Sequence, residues 1–267
     1  GIAENSLGYP VAAYQDETGD TYVLDLYSTG GLVKVFDARG KFKSKSVPLK
    51  SPECQPADFA VDGDGNIYIA DIGIGAVQKY RGDELVAEFR PGEDFYPRSI
   101  AADSKGNLWV MSFNRVYKIT PEGKSEFFGR SGDGEGEFGT ASSEFYIGPS
   151  GLCLDLRDNI YIADTLNDRV QKFDESGKFI GQIPLSENFS PEGIWVNPSG
   201  EIYLVSRESL IKLDASGNIL KTIDINGWGD EPADYLNLGG GENETLLVVI
   251  PERHRVKVYS GDTEVYS

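Results

Sequence analysis

The residues of this chain that could do chemistry are mostly carboxylates and arginines. Histidine occurs once, as His254, and cysteine twice, as Cys54 and Cys153. One histidine cannot build a zinc site of three histidines, and a Ser-His-Asp triad would have to use His254. Cys54 lies in a proline-flanked loop and Cys153 in an apolar strand pattern, so we expect free thiols rather than a disulfide.

The overall charge excludes some partners. The 267 residues carry 43 acidic and 25 basic side chains, a net charge of −18. A chain this acidic repels phosphate backbones and anionic lipids, so nucleic acids and membrane surfaces are poor partners. No stretch approaches the roughly 20 apolar residues that span a bilayer, and we expect no integral membrane segment.

An internal repeat organises the chain. A motif of the form Gly-Asn-Ile-Tyr recurs at 19–22, 65–68, 106–109, 158–161 and 200–203, with a degraded copy at 244–247. The successive copies are 46, 41, 52, 42 and 44 residues apart, and a proline stands ahead of each. A period of about 45 residues indicates a repeat architecture of six units that leaves no room for a second domain.

Each unit contains four strand signals separated by turns. In the fourth unit they are 151–155, 160–163, 169–173 and 178–183. Such short strands at regular spacing predict one antiparallel sheet per unit and an all-β, six-bladed β-propeller. The predicted blades are 10–50, 56–91, 97–128, 149–185, 191–226 and 232–267, and residues 1–9 are a candidate closure strand.

The repeat resembles the NHL family. Segment 148–180 contains Pro-x-Gly, Asp-Asn-Ile-Tyr-Ile-Ala-Asp, Asn-Asp-Arg-Val and Gly-Lys-Phe in the order of an NHL repeat, and segment 56–80 is similar. Blades 1 and 6 depart from the pattern. The resemblance implies a six-bladed propeller and leaves function open, because NHL-like propellers serve as enzymes, RNA readers, sensors and scaffolds.

The strand order predicts which residues share a surface. If strands A to D run outward from the channel, the B–C turns and D–A connections lie on one face, called here the top face. The A–B and C–D hairpins lie on the bottom face. Residues that start the innermost strands then line the channel mouth, namely Asp58, Arg98, Ser99, Ser150, Glu192 and Asp234. Those starting strand C form the rim, namely Arg115, Arg169 and Arg255. They could bind an anion, or they could pair with the aspartates that end strand B.

The channel mouth has two interpretations. The carboxylates of Asp58, Glu192 and Asp234 could hold Ca²⁺ or another divalent cation, since Ca²⁺ takes six to eight oxygen ligands. Alternatively, the carboxylates, Arg98 and water satisfy one another. The residues that end strand B are expected to accept backbone N–H bonds in the following turn. They are Asp25, Asp71, Ser112, Asp164 and Ser206.

Two other acidic motifs are candidate calcium loops. Residues 62–66, Asp-Gly-Asp-Gly-Asn, fall on an A–B hairpin, where Asp-Gly is turn chemistry. Residues 132–137 carry three acids in the longest connection, which we expect to be a flexible, solvated loop able to cover the channel.

Two functional hypotheses follow. The first is a non-enzymatic binding or scaffold propeller, a monomer that recognises a protein, peptide or small polar ligand at the top face. The second is a divalent-metal-dependent hydrolase or lyase resembling gluconolactonase-like propellers, which hold a metal with Glu, Asp and Asn ligands. Glu192 with Asp58 or Asp234 fits that pattern, but no Asn is expected at a matching channel position.

His254 and the first residue bear on the remaining alternatives. His254 is expected in a solvated B–C turn of blade 6, away from the channel, which argues against lyases of this fold that use a channel histidine.

The chain begins with Gly1 rather than Met. Together with the exported character of many bacterial NHL-like propellers, this start suggests an extracytoplasmic protein, whether periplasmic, secreted or lipid-anchored.

Overall fold

The computed structural model is a ring of six four-stranded antiparallel sheets, as the repeat predicts. The structure describes residues 6–27, 30–49, 53–141, 148–187, 189–225, 237–241, 244–260 and 263–266. Each sheet is a meander whose strands A to D follow one another in the chain. The all-β, six-bladed fold class is therefore confirmed.

The first three blades comprise residues 9 to 128. Blade 1 consists of Tyr9–Gln15, Thr21–Tyr27, Gly30–Phe36 and Phe42–Leu49. Blade 2 consists of Pro56–Val61, Ile67–Asp71, Ala76–Arg81 and Glu84–Phe89. Blade 3 consists of Pro97–Ala102, Leu108–Ser112, Arg115–Ile119 and Ser125–Phe128.

The last three blades follow a long connection, in which Arg130–Ser131 pairs in parallel with Glu137–Phe138. Blade 4 consists of Gly151–Leu154, Ile160–Asp164, Arg169–Phe173 and Phe179–Pro184. Blade 5 consists of Gly193–Val196, Ile202–Val205, Ser209–Leu213 and Ile219–Asp224. Blade 6 consists of Asn237–Gly240, Thr245–Ile250, Arg255–Ser260 and Thr263–Tyr266. Single 3₁₀ turns are found at Thr165–Asn167 and Pro251–Arg253.

The repeated motif belongs to bottom hairpins that are built around one aspartate. In blade 2, Oδ1 of Asp62 accepts the amides of Asp64 and Asn66 at 3.0 and 2.9 Å. Its Oδ2 accepts the Asn66 amide group at 2.7 Å and the Tyr68 hydroxyl at 2.9 Å. Gly65 takes a φ of 78° in the same turn, which favours glycine. The Asp62 loop is thus a turn, and the Asn and Tyr of the motif satisfy its carboxylate.

The same turn recurs around the bottom face. The aspartates that accept the amides two and four residues later are Asp16, Asp37, Asp62, Asp103, Asp155, Asp174 and Asp214. A carboxylate that accepts turn amides shortens and fixes the hairpin.

Apolar side chains lie between the blades and close the ring. A buried cluster fills each interface between adjacent blades, and the one between blades 6 and 1 contains Ala13, Val23, Leu247 and Val249. Gly239 approaches Ala13 so closely that an added Cβ would lie 1.9 Å from its carbonyl oxygen. The ring is therefore closed by packing between the first and last blades.

The polar residue that ends strand B has a second role besides the one predicted. It accepts the amide of the segment entering its own blade, which ties each connection to the sheet. The bonds are Gly8 to Asp25 at 2.8 Å, Gln55 to Asp71 at 2.8 Å, Tyr96 to Ser112 at 2.8 Å and Gly139 to Asp164 at 2.9 Å. Asp71 also accepts from Gly73 in the following turn, as expected.

In blade 1 the hydrogen bond from Gly8 to Asp25 holds the first described residues against the sheet. The buried carboxylate of Asp25 pairs with the buried ammonium of Lys34 at 3.1 Å, and Lys34 also donates to the carbonyl of Ser6. Residues 1–5 of the candidate closure strand lie outside the described residues. Among the described residues, no helix has the length and apolarity needed to cross a membrane.

Deleting residues 1–8 is expected to lower the melting temperature. The deletion removes the Gly8 amide and the Ser6 carbonyl from a buried ion pair, at a cost of about 2 kcal/mol. For a domain of this size that corresponds to roughly 5 °C. Differential scanning calorimetry measures the shift, and an unchanged value would contradict the interpretation. A chain lacking only residues 1–5 keeps both contacts and is the matched control.

Candidate functional site

Strand A of the first three blades contains a β-bulge at the channel mouth. In blade 3 the register jumps from Ser99 opposite Met111 to Pro97 opposite Ser112, which leaves Arg98 as the extra residue. Ala57 and Val11 occupy the same place in blades 2 and 1. Bulges redirect a side chain out of the regular ladder. Arg98 is therefore presented by the backbone at the place the sequence predicted.

Asp58 and Ser99 are brought together, but as a clamp between blades. Oδ2 of Asp58 accepts the Ser99 hydroxyl at 2.9 Å and the Ile100 amide at 3.0 Å, while Oδ1 accepts the Phe59 amide at 2.9 Å. The Ser99 hydroxyl in turn accepts the Leu152 amide of blade 4 at 3.1 Å. These side chains hydrogen-bond the unpaired edge of the next inner strand.

Burial raises the pKa of Asp58 to about 6, and the hydrogen bonds from Ile100, Ser99 and Phe59 act in the opposite direction. No cation is paired with this carboxylate in the described part of the chain. The charged form is thus held by three donors alone.

In blade 6 the structure places Asn237, not Asp234, at the position equivalent to Asp58. Asn237 lies opposite Val249, one residue before the end of strand B, just as Asp58 lies opposite Ala70. Its side-chain amide donates to the Val11 carbonyl of blade 1 at 3.2 Å. Asp234 lies outside the described residues. An Asn therefore does occupy the equivalent strand A position in blade 6, contrary to the expectation.

Ser150 and Glu192 also have partners within the protein. The Ser150 hydroxyl donates to the Pro191 carbonyl of the next blade at 2.6 Å. Glu192 pairs with Arg207, whose Nε lies 2.9 Å from its carboxylate. Arg207 is exposed in the B–C turn of blade 5 and was not predicted.

These residues do not fit a divalent cation well. Asp58 already accepts three donors, and Glu192 is paired with a guanidinium group. Among the described residues, no three His, Cys, Asp or Glu side chains are grouped as metal ligands would be. We therefore derive no step through a metal, and the cation at Asp58, Glu192 and Asp234 stays a prediction.

Arg169 is buried and holds the long connection rather than a ligand. It donates to the Asp164 carboxylate at 2.8 Å and to the carbonyls of Asp133, Gly134 and Glu137 at 2.7, 2.9 and 2.9 Å. Removing the guanidinium group from such a buried network would leave the Asp164 carboxylate without its cation. Arg169 thus pairs with the aspartate that ends strand B, which is one of the two roles expected of the rim arginines, and this role is structural.

The described part of that connection is therefore ordered. Glu137 accepts from Arg130 and from the Gly134 amide, and Gln171 of blade 4 bonds the Gly136 amide at 2.9 Å. Residues 133–135 are exposed, as expected of a solvated loop, but side chains of blade 4 hydrogen-bond the backbone of the segment. The segment lies against strand C of blade 4.

The other predicted arginines have no acidic partner in the described residues. Arg98 is half-buried, and Arg115 and Arg255 are exposed. Arg115 lies over the ring of Phe127, with its guanidinium carbon 4.5 Å from the ring centre.

Beside Arg98 and Arg115 lies an aromatic pair that the sequence analysis missed. The rings of Tyr96 and Phe113 are 4.7 Å apart, and Tyr96 is 39% exposed. Phe113 occupies the first position of the two-residue turn between Ser112 and Arg115, with a φ of 52°. Turns of this kind favour glycine there, and a bulky residue costs roughly 1 to 2 kcal/mol. The sequence feature that could have indicated this pair is a phenylalanine in a tight hairpin.

Arginine is segregated between the two faces. Those at the top face are Arg90, Arg98, Arg115, Arg130, Arg169, Arg207, Arg253 and Arg255, and those at the bottom are Arg39, Arg81 and Arg157. No described lysine lies in a top-face connection. The top face is therefore locally richer in guanidinium groups than the net charge suggests.

His254 lies in the B–C turn of blade 6, as predicted, but it is not isolated. Its Nδ1 contacts the Gly8 carbonyl, next to the innermost strand of blade 1. Because a carbonyl only accepts, Nδ1 is the donor in this contact, and in the neutral ring Nε2 would then be an acceptor. The Tyr9 hydroxyl lies 3.4 Å from the Glu252 carboxylate in the same corner.

Several solved structures of other proteins have the same fold as this chain. A catalytically inactive virginiamycin B lyase from Staphylococcus aureus, solved with quinupristin, superposes with a TM-score of 0.69 at 14% identity, covering 98% of this chain and 85% of that one. A streptogramin B lyase structure gives 0.67 at 17% identity, covering 98% and 85%. A protein of unknown function from Bacteroides caccae gives 0.57 at 16% identity, covering 80% and 81%. At these identities the likeness shows the fold alone.

Sequence similarity is more limited. No protein-family model matches the chain. A segment of 65 residues, 24% of this chain, is 37% identical to protein lin-41 of Caenorhabditis elegans and spans 5% of that protein. Membership of the NHL family therefore stays a prediction.

The raised pKa of Asp58 predicts a specific dependence of stability on pH. Since the folded chain binds this proton more tightly than the unfolded chain, stability falls as pH rises from about 4 to about 6. The loss amounts to about 3 kcal/mol. Asp58→Asn carries no such proton, so its stability relative to the parent should improve by that amount between pH 4 and pH 7.5. Urea unfolding of both proteins measures the difference, and a constant difference would contradict the assignment.

Proposed function

We propose that this chain is a binding propeller whose ligand, a protein, peptide or small polar molecule, docks on the top face. The observation that carries the proposal is the segregation of arginine to that face, with Arg98, Arg115 and Arg255 lacking acidic partners in the described residues. Guanidinium groups recognise carboxylates through paired hydrogen bonds. The ligand is therefore expected to carry a negative group.

The contacts of the channel residues support the same proposal, because these side chains already have partners within the protein. Asp58, Ser99 and Asn237 are used to connect neighbouring blades. What the top face offers a ligand is its turns and the starts of its strands, which is where rigid scaffolds commonly place binding residues.

Hydrogen exchange with a ligand panel tests this proposal. The panel contains acidic, neutral and basic peptides, small dicarboxylates and single-stranded RNA. We expect a carboxylate-bearing member to slow exchange at the top-face segments 92–98, 112–116 and 206–208. The bottom hairpins, such as 62–66, serve as the internal control and should exchange unchanged. Protection confined to the bottom hairpins, or no binder in the whole panel, would reject the proposal.

A second candidate function is hydrolysis or elimination at the channel mouth. It is favoured by the fold likeness to lyases and by His254, whose Nδ1 contacts the Gly8 carbonyl. A histidine held through Nδ1 by a carbonyl is oriented as general bases are. The contacts of Asp58 and Glu192 do not favour the metal-dependent form of this candidate, in which these two residues and Asp234 would hold the ion.

Activity assays separate the two candidates. Quinupristin, lactones and esters are incubated with the purified chain, with and without Ca²⁺, alongside His254→Asn. If the second candidate holds, the parent turns over a substrate and the variant loses at least 100-fold. Calorimetric titration with Ca²⁺, Mg²⁺ and Zn²⁺ tests the metal. No turnover, together with no binding at millimolar metal, would reject this candidate.

A further inference from the structure

The position that ends strand B is buried in all six blades, and blade 2 differs from the others in how its charge is balanced. The residue is serine in blades 3 and 5 and isoleucine in blade 6, so no charge is buried there. In blades 1, 2 and 4 it is an aspartate with no exposed surface, namely Asp25, Asp71 and Asp164. A buried carboxylate needs a cation or strong hydrogen bonds to compensate the loss of water.

In blades 1 and 4 a side chain of strand C provides the cation. Nζ of Lys34 lies 3.1 Å from Oδ2 of Asp25, and Nε of Arg169 lies 2.8 Å from Oδ2 of Asp164. Gln171 also donates to Oδ2 of Asp164, at 3.1 Å. Both aspartates accept a backbone amide as well. Amide donors therefore accompany the cation in these blades and do not replace it.

Asp71 of blade 2 has the amide donors without the cation. Its Oδ1 accepts the amides of Gln55, Gly73 and Ile74 at 2.8, 3.0 and 3.3 Å. Its Oδ2 is buried and has no hydrogen-bond donor among the described residues. No lysine or arginine in the described part of the chain forms an ion pair with this carboxylate. One oxygen of a fully buried carboxylate is thus left for a further partner.

The strand pairing shows which residues replace the two cations in blade 2. Ala76 stands where blade 4 has Arg169. Gln78 stands where blade 1 has Lys34. The side chain at this second position comes within 3.1 Å of the aspartate in both other blades. In blade 2 the alanine is too short to reach, and the glutamine makes no hydrogen bond to Asp71.

Gln78 is occupied by other partners, and the other acid beside it is already balanced. Its Nε2 donates to Glu88 at 3.3 Å, and its Oε1 accepts the Tyr80 hydroxyl at 3.1 Å. Glu88 pairs with Arg90, whose Nη2 lies 2.8 Å from the carboxylate. The uncompensated charge in this part of blade 2 therefore belongs to Asp71.

Tyr80 provides an independent sign of the same imbalance. Burial raises the pKa of its hydroxyl to about 12, and the charges of Cys54, Asp71 and Glu88 add to this shift. These groups come from the connection before strand A and from strands B and D, so the hydroxyl lies in a locally acidic environment.

We propose that blade 2 binds a monovalent cation, Na⁺ or K⁺, at Oδ2 of Asp71. One uncompensated carboxylate requires one positive charge, which is what the basic side chains supply in blades 1 and 4. A divalent ion would leave an excess charge, since Glu88 already has its arginine. Hard cations take oxygen ligands, and the oxygens of Gln78 and Tyr80, 3.1 Å apart, are the candidate neutral ligands. The site goes beyond the function proposed above, because it concerns the stability of one blade.

A buried water molecule is the alternative partner for this oxygen. Water would donate a hydrogen bond to Oδ2 but would leave the negative charge without a cation. The equivalent aspartates of blades 1 and 4 have both amide donors and a cation, which favours the ion. A chain indifferent to the kind of cation would show that water is sufficient and would contradict the proposal.

Thermal unfolding of the full chain in matched salts tests the site. Melting temperatures are compared in NaCl, KCl and choline chloride at the same ionic strength. With about 300 mM salt and a Kd of about 10 mM, NaCl or KCl should raise the melting temperature by about 5 °C over choline chloride. The increase should saturate when the ion replaces choline at constant total salt. Equal melting temperatures in the three salts would overturn the proposal.

Asp71→Asn tests whether the ion effect depends on this carboxylate. The amide side chain keeps an acceptor oxygen for the backbone amides but loses the charge, so the difference between NaCl or KCl and choline chloride should disappear. The matched control is Asp214→Asn in a bottom hairpin, where the aspartate also accepts turn amides. This control should keep the full ion effect. An ion effect that survives in Asp71→Asn would place the cation elsewhere and reject the site.

Gln78→Lys supplies the missing charge from within the chain. Its ammonium group stands where Lys34 pairs with Asp25 in blade 1, so the variant should melt in choline chloride as the parent does in the preferred salt. Its ion effect should be lost, and line broadening of ²³Na in NMR spectra should be weaker than with the parent. This variant decides the question even if Asp71→Asn does not fold. A Gln78→Lys chain that keeps the parent's ion effect would reject the site without affecting the proposed function.

Discussion

The innermost strand of every blade is an edge strand, and the rest of the structure depends on how that edge is satisfied. No further strand lies inside it, so its backbone groups must find other partners or face the channel. Asp58, Ser99 and Asn237 meet this need by reaching to the next inner strand. Where glycine stands instead, as at Gly151, an added Cβ would lie only 3.2 Å from Ile194. Close packing then replaces the polar link.

This constraint explains why polar residues at the channel mouth need not form a ligand site. A carboxylate such as Asp58 that accepts three donors has little capacity left for a cation. Near the ends of the B strands, Asp25, Asp71, Ser112 and Asp164 accept backbone amides of the incoming connections. Residues that make neither of these structural hydrogen bonds lie in the turns, and their side-chain types differ from blade to blade.

The fold was predictable because its signals are repeated and local. The Asp that accepts turn amides, the Gly with positive φ, and the Asn and Tyr that bond the Asp recur within seven residues, as at Asp62 to Tyr68. The candidate site was less predictable, because it depends on register across blades. In blade 6 it is Asn237 that takes the position equivalent to Asp58, and the Arg169–Asp164 pair extends into a buried network with the backbone of the long connection. Neither feature leaves a local sequence pattern.

The structure also explains where much of the net charge of −18 comes from. Much of it comes from aspartates that the bottom hairpins require, of which Asp16, Asp62 and Asp214 are examples. A strand of six residues separates the faces by about 20 Å. The Debye length at physiological salt is about 8 Å, so these charges are largely screened from a small ligand on the top face. The acidity of the chain is then a consequence of its turns, and it excludes extended polyanions without excluding a short carboxylate ligand bound by the top-face arginines.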